Sequence, residues 1–145
     1  MQKILTILFL TTLLTRCNIG AGTLGSFNER KLPINKSDFL NALNSLTERQ
    51  IPDKWKETAL SIEDTYDFLT AYVTCLYLKD NPEEMYFVSY QGNKKVTVIS
   101  IRSVYKNEQW FGKGNLESKE IDRIEKRFDN QIIRIIEEKV NRKAE

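Results

Sequence analysis

Met85-Tyr-Phe-Val-Ser-Tyr90, Gln91-Gly-Asn-Lys94 and Lys95-Val-Thr-Val-Ile-Ser-Ile-Arg-Ser-Val-Tyr105 together decide the fold. Two runs rich in β-branched and aromatic residues flank four turn formers, which is the pattern of paired antiparallel strands. In the second run Val96, Val98 and Val104 share one parity, and Thr97, Ile99, Ile101 and Tyr105 share the other. A strand that is apolar on both faces is central in its sheet, with helices expected on one face. Lys106-Asn107-Glu108 supplies a second turn and Gln109-Trp110-Phe111 a third, shorter strand, closed by Gly112 and Gly114. A three-stranded antiparallel meander is therefore expected.

The flanks of this meander read as helices. Glu117 to about Lys143 places Ile121, Ile124, Phe128, Ile132 and Ile135 on one face, and Ile133, Ile136 and Val140 widen it. Acids Glu117, Glu120 and Asp122 crowd its start and Lys139, Arg142 and Lys143 its end, matching the helix dipole. Upstream, Ser37 can cap a helix to about Gln50, with Phe39, Leu40, Leu43 and Leu46 at helical spacing. Pro52 breaks that pattern, and Trp55, in the charged run 53–57, is expected as a lid over the edge of the core. Ser61-Ile62-Glu63-Asp64 resembles a helix start. Ile62, Tyr66, Leu69, Val73 and Leu76 then form a stripe, broadened by Phe68, Tyr72 and Cys75. The β-branched and aromatic content of 70–78 also allows a strand there, and Asp80-Asn81-Pro82 ends the element in either case. The expected class is α+β: two N-terminal helices, the meander, and a long C-terminal helix packed on the sheet.

The N-terminus carries a different signal. Met1-Gln2-Lys3 is a basic start, Ile4 to Leu14 is an apolar or hydroxyl run, and Thr15-Arg16-Cys17 follows. This is the layout of a bacterial export signal. A membrane-crossing helix needs about 20 apolar residues, more than this run supplies. Leu14, Thr15 and Cys17 resemble the lipobox of bacterial lipoproteins, in which the Cys becomes the first mature residue and carries the lipid; Arg16 stands where that class has a small residue. The resemblance implies lipidation at Cys17 and an envelope protein held to its membrane, since two or more acyl chains anchor stably. The organisation expected is a signal peptide at 1–16, a lipidated Cys and flexible tether at 17–36, and a single domain at 37–145. The tether, with Gly20, Gly22, Gly25 and Pro33, would reach about 25 Å on average. Two alternatives stand beside this. Cleavage near Gly20-Ala21-Gly22 would discard Cys17 and release a periplasmic or secreted protein, or Cys17 is a chance Cys in an uncleaved leader.

Composition narrows the chemistry. Of 22 Lys and Arg only Lys3 and Arg16 lie in the leader, where there is no acid, so the rest carries 20 bases against 20 acids. A net-neutral domain has no electrostatic drive towards nucleic acid, and none is expected as partner. There is no His. That removes the commonest general base and the commonest transition-metal ligand, together with every Ser-His or Cys-His nucleophile. No catalytic residue, metal or cofactor is expected. Cys75 sits in an apolar run and reads as a buried, inert thiol.

Three constellations remain. Glu83-Glu84 and Glu63/Asp64/Asp67 resemble paired carboxylates of a glycan hydrolase, but each lies at an element start where acids are ordinary. Gly112-Lys113-Gly114-Asn115 precedes a helix but lacks nucleotide-binding spacing. The third is an aromatic and basic sheet face. Tyr90, Tyr105, Trp110 and Lys113 are its candidate binding residues, with Tyr86, Trp55, Lys94, Lys95 and Arg102 nearby. The expectation is a small non-enzymatic envelope lipoprotein that binds another envelope protein, as an inhibitor or immunity-type factor does. The alternatives are a carboxylate-based hydrolase of envelope polymers and a small-ligand carrier.

Overall fold

The computed structural model describes residues 27–65 and 71–144. The leader, Cys17 with its expected lipid, residues 18–26 of the expected tether, and Asp67 lie outside the described residues. The architecture is α+β: an antiparallel sheet and a long C-terminal helix, with helices on both faces of the sheet. In chain order the elements are β1 (Arg30–Leu32), α1 (Lys36–Asn44), a 3-10 turn (Thr47–Arg49), α2 (Asp53–Thr65), β2 (Tyr72–Leu78), β3 (Glu84–Gly92), β4 (Thr97–Lys106) and β5 (Gln109–Phe111). A second 3-10 turn (Lys113–Asn115) leads into α3 (Ser118–Phe128), a π turn (Asp129–Ile133) and α4 (Arg134–Ala144).

Five strands, not three, form the sheet among the described residues, in the order β1-β4-β3-β2, with β5 also on β4. β1 pairs with the Thr97–Ile99 end of β4 and β5 with its Val104–Lys106 end, so the two short strands share one edge. The two extra strands come from stretches expected as tether and as helix. Residues 27–34 are part of the domain, not a free tether: Phe27, Leu32 and Ile34 are buried. Asn28 donates through backbone and side chain to Glu125, both at 2.9 Å. Arg30 grips Asp129 with two bonds of 2.7 and 3.1 Å.

The second correction lies between 53 and 78. Helix α2 begins at Asp53, directly after Pro52, and carries Trp55 within it. Tyr72–Leu78 is a strand paired along its whole length with β3, from Tyr72↔Tyr90 to Leu78↔Glu84. Pairing satisfies every second backbone group of a run whose β-branched and aromatic side chains suit a half-buried pleat, and this outweighs the helical stripe. Helix α1 also differs at its ends. Asn35 rather than Ser37 caps it, accepting from Asp38 N–H at 2.9 Å, and it stops at Asn44.

Parity within β4 is reset by a bulge. Phe87 pairs with Ser103 but Val88 with Ile101, so Arg102 is the extra residue. One inserted residue moves everything beyond it to the other face. Val104 thereby joins Ile99 and Ile101 against Tyr86, Val88, Phe39, Leu43, Ile124, Phe128, Ile132 and Ile136 in the larger core. Tyr105 goes to the opposite face, with Cys75, Met85, Phe87 and Trp110, where α2 contributes Ala59, Trp55 and Ile62. The molecule thus has three layers: α1 and the C-terminal helix, then the sheet, then α2.

Two further devices hold this arrangement. The apolar residues Ile124, Phe128, Ile132, Ile136 and Val140 recur every fourth position. In an ideal α-helix that spacing drifts by about 40° per step. The π turn at Asp129–Ile133 takes up the drift, and Ile132 and Ile136 both stay fully buried. At the other edge, the chain passes from α1 to α2 around β2, and Glu63 on α2 accepts from Cys75 N–H at 2.8 Å. An edge strand is thereby covered and part of its backbone satisfied, a common protection against unwanted strand pairing.

Candidate functional site

On the α2 side, four aromatic rings stand where helix meets sheet. Trp55 is edge-on to Tyr77 and to Tyr105, each at 5.4 Å between ring centroids. Tyr105 lies 5.2 Å from Trp110, which in turn stands 6.1 Å from the buried Phe87. Residue positions explain the gathering. The Arg102 bulge turns Tyr105 to this face, and Tyr105↔Trp110 are directly paired partners in the β4–β5 hairpin. The helical spacing of Trp55, Ala59 and Ile62 then lays one face of α2 over them. Trp55, Tyr77, Tyr105 and Trp110 are all half-buried, so each keeps an accessible part.

Between α2 and the hairpin runs an open groove of about 530 Å³, lined by Lys54, Glu57, Thr58, Ser61, Ile62, Thr65, Tyr105, Glu108 and Trp110. The hairpin turn is tight: Asn107 and Glu108 both have positive φ, 49° and 61°. A two-residue turn with both central residues left-handed matches the twist of the strands it joins. Asn tolerates that conformation, whereas Glu adopts it at a cost of about 1–2 kcal/mol. The cost places a carboxylate on the rim of the groove.

The groove's charges are unevenly committed. Lys54 Nζ lies 2.6 Å from Glu83 and 4.8 Å from the Trp55 ring centroid. Tyr77 OH also donates to Glu83. The two donors, Lys54 first, hold the Glu83 carboxyl below its ordinary pKa, and the bond to Glu83 raises that of the Tyr77 phenol. Lys56 is paired with Asp53 at 2.6 Å. Glu57 and Glu108, both exposed, make no hydrogen bond or ion pair among the described residues. The lining is aromatic at its base, hydroxyl-bearing along α2, and acidic at its rim.

The candidate binding residues named from the sequence divide between the faces. Tyr105 and Trp110 come together in the groove. Tyr90 is on the opposite side of the sheet, buried in the larger core 5.4 Å from Phe39 and stacked on Tyr72 at 5.7 Å. Lys113 lies in a 3-10 turn, its Nζ 3.4 Å from Asn28 Oδ1, and does not line the groove. Glu57, Thr58 and Ser61 are not among the binding residues expected from the sequence, where Ser61 reads as a helix cap. A helix started at Asp53 after Pro52 would have put them beside Trp55 and Ile62 on one surface.

Of the carboxylates considered for hydrolysis, Glu83, Glu84 and Glu63 are engaged within the fold. Glu84 is fully buried and accepts from Arg127 Nη1 at 2.9 Å and Tyr86 OH at 3.0 Å, with Arg123 on its other oxygen. Burial beside that carboxylate pushes the Tyr86 phenol far up in pKa, so it stays a donor. Arg123 also holds Glu120 at 2.8 Å, and Lys106 joins the same carboxylate. These partners, chiefly the Arg123 hydrogen bond, bring Glu120 down to about 2. Arg127 further donates to the carbonyl oxygens of Asp80, at 2.9 Å, and Pro82. The network clamps α3 to the start of β3. Glu63 is engaged with Cys75 N–H, and Cys75 itself is pushed far up in pKa by burial and by the Glu63 charge.

Among the described residues no three His, Cys, Asp or Glu side chains gather as a metal site. Among them, too, no helix is long and apolar enough to cross a membrane. No protein-family model matches the chain, and no curated protein or solved structure matches it either.

Proposed function

We propose that the chain is an exported, lipid-anchored envelope protein that binds another protein through the groove between α2 and the β4–β5 hairpin. Its action is that of an inhibitor or immunity-type factor rather than an enzyme. One observation carries the binding half of this reading. Trp55, Tyr77, Tyr105 and Trp110 form a half-buried aromatic cluster, and two of its members, Tyr105 and Trp110, line a groove that the domain's own packing does not fill. Aromatic side chains in such positions are the common anchors of protein interfaces. The left-handed backbone at Glu108, which sets a carboxylate beside the groove, is a feature that stability alone disfavours. The anchoring half rests on Lys3, the apolar run Ile4–Leu14 and Cys17.

Ser61→Trp tests the binding half. Ser61 is exposed on α2 and lines the groove, so a Trp there fills it without entering the core. Loss of partner capture in Ser61→Trp, with the thermal unfolding curve unchanged, is the expected outcome. Capture equal to wild type would remove the groove as the interface. Intact mass tests the anchor. A membrane-bound species beginning at a lipid-bearing Cys17 is expected, and its loss in Cys17→Ser; a soluble species beginning near Gly22 would contradict it.

A further inference from the structure

We infer that the groove between α2 and the β4–β5 hairpin receives an arginine side chain presented by a loop of the partner protein. This rests on the reading of the groove as a protein-binding surface and adds what it recognises. Three observations converge. The lining includes two half-buried aromatic rings, Tyr105 and Trp110, 5.2 Å apart. The rim offers two carboxylates, Glu57 and Glu108, with no bond or ion pair among the described residues. The one lysine in the lining, Lys54, is neutralised by Glu83 at 2.6 Å. The groove therefore presents net negative charge above aromatic rings.

That combination suits a planar cation. A guanidinium stacks on an aromatic ring while its N–H groups donate in pairs to carboxylates, which an ammonium does less well. Cations over Tyr or Trp gain about 0.5–1 kcal/mol when exposed and about 2 or more when water is excluded. The cluster already holds a cation in this manner, Lys54 Nζ at 4.8 Å from the Trp55 centroid. An acidic loop would be repelled by the same rim, and a purely apolar one would leave both carboxylates facing it. The groove's volume, about 530 Å³, falls within the range of about 300–1,000 Å³ found for small-ligand sites, so one extended side chain and its flanking backbone fit.

The test is a titration of the exported chain with N-acetyl-arginine amide and with its uncharged isostere, N-acetyl-citrulline amide. The readouts are the indole N–H resonances of Trp55 and Trp110 and the backbone amides of Ser61 and Glu108. The arginine probe is expected to move them at millimolar concentration, about tenfold more tightly than citrulline. Glu57→Gln with Glu108→Gln should erase the difference; both sites are exposed, so folding is unaffected. Raising the salt should weaken the arginine probe alone. Equal binding of both probes, or shifts outside the groove, would overturn the inference. An absence of any shift, while a partner is still captured and lost in Ser61→Trp, would also overturn it and leave the binding reading standing.

Discussion

The carboxylate of Glu84, with no exposed surface, lies 2.9 Å from Arg127 Nη1, and that contact fixes the C-terminal helix to the first residue of β3. Arg127 reaches on to the Asp80 and Pro82 carbonyls, so helix, strand and the preceding turn meet at one guanidinium. Removing one member of a buried ion pair costs more than the pair contributes, because the remaining charge stays buried. Glu84→Gln should therefore lower the unfolding free energy by about 3 kcal/mol. Urea denaturation with an unchanged slope checks this. An unaltered midpoint would mean the network is not what holds the helix.

Acid should loosen the same region. Glu120 is held down to about 2 from an ordinary 4.5 by Arg123 and Lys106. A folded-state value below the unfolded one stabilises at higher pH, and the contribution is lost as pH falls through the folded value. Stability should thus decline as pH falls from about 4.5 to about 2, and Glu120→Gln should flatten that part of the variant's own stability curve. Thermal melts across this range would show it. A wild-type minus Glu120→Gln difference that stays constant with pH would refute the assignment.

The hairpin turn offers a trade between stability and binding. Glu108 has φ 61°, a conformation glycine adopts without strain. Glu108→Gly should raise stability by about 1 kcal/mol, completing the Asn-Gly sequence favoured in such turns. The same variant removes a rim carboxylate, so it should bind the arginine probe more weakly than wild type. Greater stability together with weaker binding is the expected pair of results. A destabilised variant would show that the turn is not strained at this residue.

Cys75 should behave as an inert thiol. It is 1% exposed on the α2 side of the sheet, and burial with the Glu63 charge raises its pKa. A thiol reagent at neutral pH should leave the native protein unlabelled at this position and react at once in urea. Rapid labelling of the native chain would mean that α2 lifts from the sheet readily. That would place the groove on a mobile lid.

Much of this fold is legible in the sequence, and the failures have physical causes. β3, β4 and the C-terminal helix are long and strongly patterned, so periodicity finds them. β1, three residues long, carries no periodicity; Arg30 and Leu32 are strand residues because β4 offers them a free edge. Tyr72–Leu78 reads equally as a helix stripe, and only pairing to β3 decides it. Parity fails at Arg102, because a bulge has no signature in side-chain type. That one residue also hid the site. Without it Tyr105 is assigned to the face of Ile99, away from Trp110's true neighbours, and Tyr90 looks like a member of the same surface. Helix α2 was obscured by the charges around Trp55, which lie on its solvent side while Trp55, Ala59 and Ile62 face the sheet.

Photo-cross-linking in cells tests the groove most directly. A benzophenone amino acid placed at Ser61 or Thr65, which line the groove, is compared with one at Asn41, exposed on α1 across the sheet. A discrete adduct to one envelope protein is expected from Ser61 and Thr65, absent from Asn41 and lost when Trp110→Ala or Glu57→Gln with Glu108→Gln is added. The same adducts from Asn41, or none from either groove position, would contradict the account.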